Sequence, residues 1–208
     1  MTPGPIACAL VRIDAGEYAY QNGRKRLEQP LLLSRYPVTN SQFALFVKEK
    51  GYESKQHWSD EGWAWLRNEN VTEPRFWQHP KWNGPNQPVV GVSWYEADAF
   101  CRWAGGQLPT ERRWEAAARG KRGREYPWGE RLEDGICNSR EAGLGVTSAV
   151  GLFPRSRTPE GGLEDMANEV RNRADRWEQE LRQQGEAANR QRQLGGSSQE
   201  TGPRMERE

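Results

Sequence analysis

The residues of this chain best suited to chemistry are three cysteines and two histidines. Thiolates and neutral imidazoles bind transition metals, and either group acts in catalysis when a partner lies nearby. The cysteines form no close pair in sequence, so free thiols in a reducing cytoplasm are the simplest interpretation. Acidic residues follow the first histidine, but no second metal ligand lies at a suitable spacing from it. We therefore expect the histidines to be solvated or to lie at the edge of the core. These residues are Cys8, Cys101, Cys137, His57 and His79.

Tryptophans are a second unusual group, because all but Trp177 lie between Trp58 and Trp128. Over residues 58–86 they occur among Asn, Pro and charged residues, a composition that predicts irregular structure. The rings could line a groove for a flat apolar or sugar ligand. They could instead anchor a long loop on the core, which is the more common role and the one we favour. The candidate binding residues are Trp63, Trp65, Trp77 and Trp82.

Composition limits the classes of partner. The 208 residues suffice for one domain with a buried core, and a net charge of +1 provides no field that would favour nucleic acid. No apolar run approaches the ~20 residues of a membrane span, and the N-terminus lacks the features of a signal peptide. We therefore expect a cytoplasmic protein that binds neither nucleic acid nor membrane. Its partner is expected to be a protein or a small-molecule ligand that the sequence does not identify.

The elements that would position these residues are signalled by caps and turns. Ser or Thr followed three residues later by Glu or Gln predicts a capping box, and glycine predicts a helix end. Short apolar runs between turn residues predict strands. Expected helices follow Thr39, Ser93 and Thr110, a hairpin turns at 21–23, and strands cover 9–13, 31–33, 88–92 and 150–154. An aromatic turn is expected at 126–129.

The stretch PVVGVSWYEADAFCRWAGGQLPTERRWEAAARG, followed by YPWG, resembles the formylglycine-generating enzyme family, also called sulfatase-modifying factors. It follows the family pattern nearly residue by residue, with Arg113 in place of the usual Glu. Residues 36–40 and 162–167 also fit, so the resemblance covers residues 27–167. It implies an α+β, C-type-lectin-like fold with little regular secondary structure and, here, an incomplete C-terminal portion. It implies no particular activity, because this fold hosts oxidases, iron enzymes and binding proteins.

The resemblance also implies a region that binds calcium through side-chain and carbonyl oxygens. Calcium prefers several oxygen ligands with negative charge, and only one carboxylate is available here. Calcium is therefore a cofactor that the resemblance leaves open and the residues alone do not support. The matching positions are Asn138, Ser139, Glu141 and Leu144.

The resemblance breaks after Ala167, where the family continues GNVWEW and this chain has NEVRNR. Arg171 and Arg173 replace two tryptophans that would be buried, and unpartnered arginines are too costly to bury. The oxidase members also carry a pair of copper-binding cysteines further along, whereas no cysteine follows Cys137. That difference argues against copper or iron. We expect a domain over 1–167 and a divergent polar tail over 168–208, with a helix to about residue 184 and disorder beyond it.

The tail has two explanations. A frameshift or truncation is the one we favour, and a diversified surface, as in the variable proteins of diversity-generating retroelements, is the other. For the function, we favour a non-catalytic domain that binds a ligand or protein. The alternatives are an oxidoreductase of the same family (a formylglycine-generating oxidase or a non-haem iron enzyme), the retroelement variable protein, and a fragment with no stable fold.

Overall fold

The computed structural model describes residues 8–139 and 142–166. The expected tail and its helix lie outside these ranges, so the domain boundary at residue 167 stays a prediction. The described residues combine small sheets with short helices. The strands are β1 (Leu10–Ile13), β2 (Gly16–Tyr20), β3 (Gly23–Leu27) and β4 (Leu31–Ser34). The helices are α1 (Asn40–Lys48), α2 (Asp60–Asn68), α3 (Trp94–Trp103) and α4 (Glu111–Arg119), with 3₁₀ turns at Lys55–His57 and Pro154–Ser156.

The strands form two antiparallel pairs. β1 pairs with β4 from Leu10 opposite Ser34 to Ile13 opposite Leu31. β2 and β3 form the predicted hairpin, which turns through Gln21 and Asn22. Gln21 takes a left-handed φ of 49°, as tight hairpin turns require. The strands predicted near residues 9–13 and 31–33 are thereby confirmed.

Side-chain caps start the helices where the sequence predicts them. The hydroxyls of Thr39 and Ser93 each accept a hydrogen bond from the amide three residues on, and the amide of each capping residue donates in turn to the side chain of Gln42 or Glu96. Thr110 caps α4, which ends at Gly120 with a φ of 64°. These bonds satisfy amides that the first turn of a helix leaves without partners.

The larger core, here called the aromatic core, joins α1, α2 and α3. The rings of Phe43 and Phe100 stack with centroids 5.0 Å apart, and Phe46 meets Trp103 edge to face at 5.6 Å. Such ring pairs add to the stability gained from burial alone. The buried members are Phe43, Phe46, Tyr52, Trp58, Leu66, Ala99, Phe100 and Trp103.

A buried carboxylate ties this core to its helices. Glu96 is 2% exposed and accepts bonds from the Ser93 amide and the Tyr52 hydroxyl, both at 2.6 Å. Burial first, and then the nearby Glu96 carboxylate, raise the pKa of Tyr52. Both oxygens of Glu96 therefore have donors, which a buried carboxylate requires.

A second core, the hairpin core, packs α4 against the strands. Its side chains come from β1, β2, β3, α4 and the loop at residue 163, which places that late loop beside the first strand. The buried members are Val11, Ile13, Tyr18, Leu27, Ala116, Ala117 and Leu163.

Three expectations about elements are wrong. Residues 88–92 form only a single bridge, between Pro88 and Thr39, because Gly91 turns away with a φ of 76°. Residues 150–154 form a turn, in which Gly151 has a φ of 77°, and not a strand. Residues 58–86, expected to be irregular, contain α2, which Ser59 caps and whose acidic first turn suits the helix dipole.

Among the helices of the described ranges, none has the length and apolar character needed to span a membrane.

Gly51→Ala should destabilise the protein, because a Cβ there would lie 2.2 Å from the buried Phe46 ring. Overpacking of this kind costs about 1–3 kcal/mol of unfolding free energy. The matched control is Gly106→Ala, whose Cβ would meet the Cys101 carbonyl at an ordinary 3.7 Å. Urea denaturation should show the loss in the first variant and a change below ~0.5 kcal/mol in the second. Equal effects would contradict the packing seen around Phe46.

Tyr52→Phe should also destabilise, since it leaves one buried oxygen of Glu96 without a donor. The expected loss is about 1–3 kcal/mol. Tyr20→Phe is the control, because the Tyr20 hydroxyl lies 3.4 Å from Glu111 at the exposed surface. Thermal and urea unfolding of both variants would test the role of the buried bond, and a loss confined to the Tyr20 variant would refute it.

Candidate functional site

The predicted tryptophans pack mostly on the aromatic core. Trp63 and Trp65 lie on α2, and these two rings and Trp77 are half-buried against that core. Trp82 lies further out beside Phe76, with the Lys81 ammonium 5.2 Å from its ring centroid. The Asn40 amide holds this segment by donating to the Trp82 carbonyl at 2.9 Å. The contacts show how these side chains anchor the segment, while their binding role stays a prediction.

The most exposed aromatic ring in this region was not among the predicted binding residues. Trp94, in the first turn of α3, is 62% exposed. Its ring centroid lies 5.6 Å from that of Tyr95, which lies 5.5 Å from that of Trp65. Three rings therefore form a continuous ladder between α2 and α3. Large exposed aromatic rings are typical of binding surfaces. The exposure that marks Trp94 as a candidate is a property of the folded chain, and the spacing of residues in the sequence does not show it.

The positions matched to a calcium region are only partly described. The Asn138 amide nitrogen donates to the Val146 carbonyl at 2.8 Å, which fixes the orientation of that side chain. The Ser139 amide donates to the Cys137 carbonyl, and Leu144 is exposed. Glu141, the single carboxylate of the set, lies outside the described residues. The calcium site therefore stays a prediction.

A tight loop places two acidic side chains in the interior. Thr158 closes the loop, because its hydroxyl accepts from the Leu163 amide at 3.0 Å and its own amide donates to the Leu163 carbonyl. The next amide, that of Glu164, donates to the Arg35 carbonyl at 2.9 Å. Asp165 follows with a left-handed φ of 59°, which aspartate tolerates better than most residues. Glu164 and Asp165, here called the carboxylate pair, are 1% and 8% exposed.

The carboxylate pair is unequally neutralised. One oxygen of Glu164 accepts from Arg157 Nε at 2.7 Å, while the other is buried without a hydrogen-bond partner. Asp165 accepts from the Gly151 amide at 3.2 Å. Burial raises the pKa of Asp165, the Gly151 bond lowers it by less, and Glu164 raises it further. This environment favours the protonated form of Asp165. The sequence GGLED did not predict that the two acids are buried, because their burial depends on contacts with residues 35 and 151.

Thiols and imidazoles do not converge in the described ranges. No disulfide joins Cys8, Cys101 or Cys137 within these ranges, and the last of them is buried. His57 is half-buried in a 3₁₀ turn, and exposed His79 accepts from the Lys81 amide at Nδ1. Over residues 8–139 and 142–166, no three His, Cys, Asp or Glu side chains are grouped as metal ligands would be.

Comparison with known proteins gives a consistent set of relatives. A family model described as a sulfatase-modifying factor enzyme 1-like domain matches residues 6–207. The hercynine oxygenase of Mycolicibacterium thermoresistibile is 34% identical over 152 residues, which are 66% of this chain and 34% of that protein. The inactive C-alpha-formylglycine-generating enzyme 2 of Bos taurus is 32% identical over 209 residues, with 82% and 65% covered.

The formylglycine-generating enzyme of Thermomonospora curvata is also similar, at 37% identity over 131 residues, which are 50% of this chain and 42% of that enzyme. The chain spans about a third of the length of the hercynine oxygenases and 65% of that of the bovine protein.

Asp165→Asn should change how stability depends on pH. The folded state holds the Asp165 proton where the unfolded state has released it, so unfolding free energy falls as pH rises from the usual pKa of 3.8 through the raised value. Asparagine removes this fall and can still accept from Gly151. The variant should therefore gain stability relative to the parent at neutral pH and lose that gain in acid.

Urea denaturation of parent and variant across this pH range would measure the difference. Asp134→Asn, at an exposed position, is the control and should alter stability by less than ~0.5 kcal/mol. A pH-independent difference for the Asp165 variant would contradict the raised pKa.

Proposed function

The chain belongs to the family of sulfatase-modifying factor enzyme 1-like domains, and from this premise we propose that it is a non-catalytic domain that binds a protein or small-molecule ligand. The proposal includes the C-type-lectin-like arrangement that the family resemblance implies. The mixed helices and two-stranded sheets of the described residues are compatible with that arrangement.

The state of the thiols is the observation that carries this proposal. The resemblance implies that oxidase members bind copper through a pair of cysteines, and thiolates are the form that binds the metal. Cys101 instead lies on α3 against the aromatic core, where burial, followed by the Asp98 charge, raises the pKa of its thiol to about 11. Cys101 is a single thiol on its helix, and one thiol does not make the two-thiolate pair that the resemblance implies for copper. Residues 138–207, which the family match includes, contain no cysteine.

Relatives named as inactive support the same conclusion. The bovine inactive C-alpha-formylglycine-generating enzyme 2 aligns with 82% of this chain, and its mouse counterpart is 32% identical over 67% of it. Their names describe inactive members of the enzyme group. A binding role without oxidation is therefore compatible with this family.

The ladder of Trp65, Tyr95 and Trp94 is the best candidate for contact with a ligand. Its outer ring is exposed while its inner ring packs on the aromatic core, so the platform is both accessible and rigid. Aromatic platforms of this kind contact flat apolar faces, including those of sugars. The predicted set of Trp63, Trp65, Trp77 and Trp82 shares one residue with this ladder.

The second candidate function is an oxidoreductase with a metal cofactor. It is favoured by the similarity to the hercynine oxygenases of Mycolicibacterium thermoresistibile and Mycobacterium tuberculosis, at 34% and 38% identity. A mononuclear metal would need several converging side chains. The described residues offer the carboxylate pair and two separate histidines, which do not fit such a site.

An oxidation assay separates the two functions. The protein, supplied with copper or iron and oxygen, should produce no aldehyde from a peptide containing the CxPxR motif, whereas the Thermomonospora curvata enzyme serves as positive control. Metal analysis after loading and dialysis should give copper and iron well below one ion per chain. Aldehyde formation would overturn the non-catalytic proposal. Stoichiometric iron with turnover of hercynine would establish the second candidate.

A further inference from the structure

A cavity of about 350 Å³ opens between the C-terminal ends of α1 and α2. Small-molecule sites in proteins have volumes of roughly 300–1,000 Å³, so this cavity has the size for a small ligand. Its walls come from α1, residues 50–53, α2 and residues 70–72. Binding here goes beyond the proposed function, because neither a ring of the ladder nor a cysteine is among the described residues that line the cavity.

Both helices end beside the cavity in the same type of turn. Lys50 after α1 and Asn70 after α2 have left-handed φ values of 62° and 53°. The turn after α2 is closed by the Val71 amide, which donates to the Leu66 carbonyl at 3.2 Å, and the turn after α1 is closed in the same way. Glycine is the usual residue at this position of a helix end. Non-glycine residues held in this conformation cluster at functional sites, and both of these side chains line the cavity.

The floor of the cavity is apolar and belongs to the aromatic core. Leu66 and Tyr52 are 2% and 8% exposed. Val47 and Val71 pack against the same core and are half-buried. The Tyr52 hydroxyl already donates to Glu96, so the ring, and not the hydroxyl, is available to a ligand. Burial of an apolar group on this floor would stabilise a complex.

The rim of the cavity is polar and exposed. Lys50 and Glu53 pair with each other, with 3.4 Å between ammonium and carboxylate. In the part of the chain that the structure describes, Arg67 forms no ion pair, and the side chains of Asn70 and Thr72 form no hydrogen bond. The lining therefore has two cations and one acid, and because Lys50 engages that acid, the charge of Arg67 is unmatched.

Other acids close in sequence do not neutralise Arg67. Glu73 accepts from the Gln78 amide at 3.0 Å, and Glu69 is not part of the cavity lining. Neither acid forms an ion pair with Arg67 among the described residues. The guanidinium is therefore available to an anionic ligand.

We infer that this cavity binds a small molecule that has a compact apolar body and one carboxylate. The planar guanidinium of Arg67 suits a carboxylate, which it can bind through two parallel hydrogen bonds. Asn70 and Thr72 supply further donors on the same rim. The apolar body would lie on the floor beside Leu66. One unmatched positive charge favours a monoanion over a neutral molecule of the same shape.

Phenylacetate and its neutral amide, phenylacetamide, test this inference because they differ only in the group that would meet Arg67. In an NMR titration that follows backbone amide signals, phenylacetate should shift those of residues 47–53 and 66–72. A dissociation constant on the order of 1 mM is expected for so small a ligand. The amide should bind about fivefold more weakly, since it lacks the charge.

Two variants test the rim. Arg67→Gln should weaken phenylacetate binding about fivefold. Its matched control is Arg122→Gln, which removes an exposed arginine outside the cavity and should bind like the parent. Asn70→Gly removes an amide where the backbone suits glycine, so it should keep its stability in urea and still bind about twofold more weakly.

Three results would overturn the inference: equal binding of the acid and the amide, equal binding by the Arg67 and Arg122 variants, or no binding of phenylacetate. Shifts confined to the Trp94 indole and its neighbours would also overturn it, because they would place the probe on the ladder and leave the proposed function standing. Aldehyde formation in the oxidation assay would overturn the non-catalytic proposal without bearing on this cavity, so the two tests fail independently.

Discussion

The buried carboxylate of Glu96 is the interaction on which most of the described structure depends. A single side chain caps α3 through the Ser93 amide and binds the Tyr52 hydroxyl across the aromatic core. It thereby couples the start of one helix to the loop that follows another. A buried charge is tolerated only when its hydrogen bonds are complete, so the geometry of the loop and that of the helix constrain each other.

The aromatic core that surrounds this carboxylate is held together by contacts between rings. Its stability comes from ring contacts among Phe43, Phe46, Phe100 and Trp103, and none of these side chains could bind a metal. Cys101 packs at the border of this core, where burial raises the pKa of its thiol, and it fills space as a small apolar side chain does. A family scaffold of this kind can keep its fold while its catalytic groups change.

The hairpin core supports a different part of the surface. α4 packs on β2, and Arg124, buried between the Ala118 and Pro127 carbonyls and the Glu160 carboxylate, fastens the loop after α4. This arrangement brings the Arg24 guanidinium to the Lys121 carbonyl, and it places Lys25 in a groove with Glu111 and Arg112. The contact between Arg24 and Lys121 joins segments that are 97 residues apart in the sequence.

Local residue patterns were enough to predict three helix starts, the hairpin and the family. Helix starts at Thr39, Ser93 and Thr110 were predictable because a hydroxyl bonds an amide only three residues away. The hairpin turn was equally local. The helix after Ser59 was missed because a stretch rich in tryptophan and charge shows no clear periodicity.

Contacts between distant segments determine which aromatic rings are exposed, which acids are buried and which apolar runs pair as strands. Trp94 and Trp103 have the same side chain on the same helix, yet one is exposed and the other lies in the core. Glu164 and Asp165 are buried because Arg35 and Gly151 meet them from distant segments. Gly91 and Gly151 turned two expected strands into bends. Burial and pairing depend on which segments meet in space, and a local pattern of residue types does not specify that.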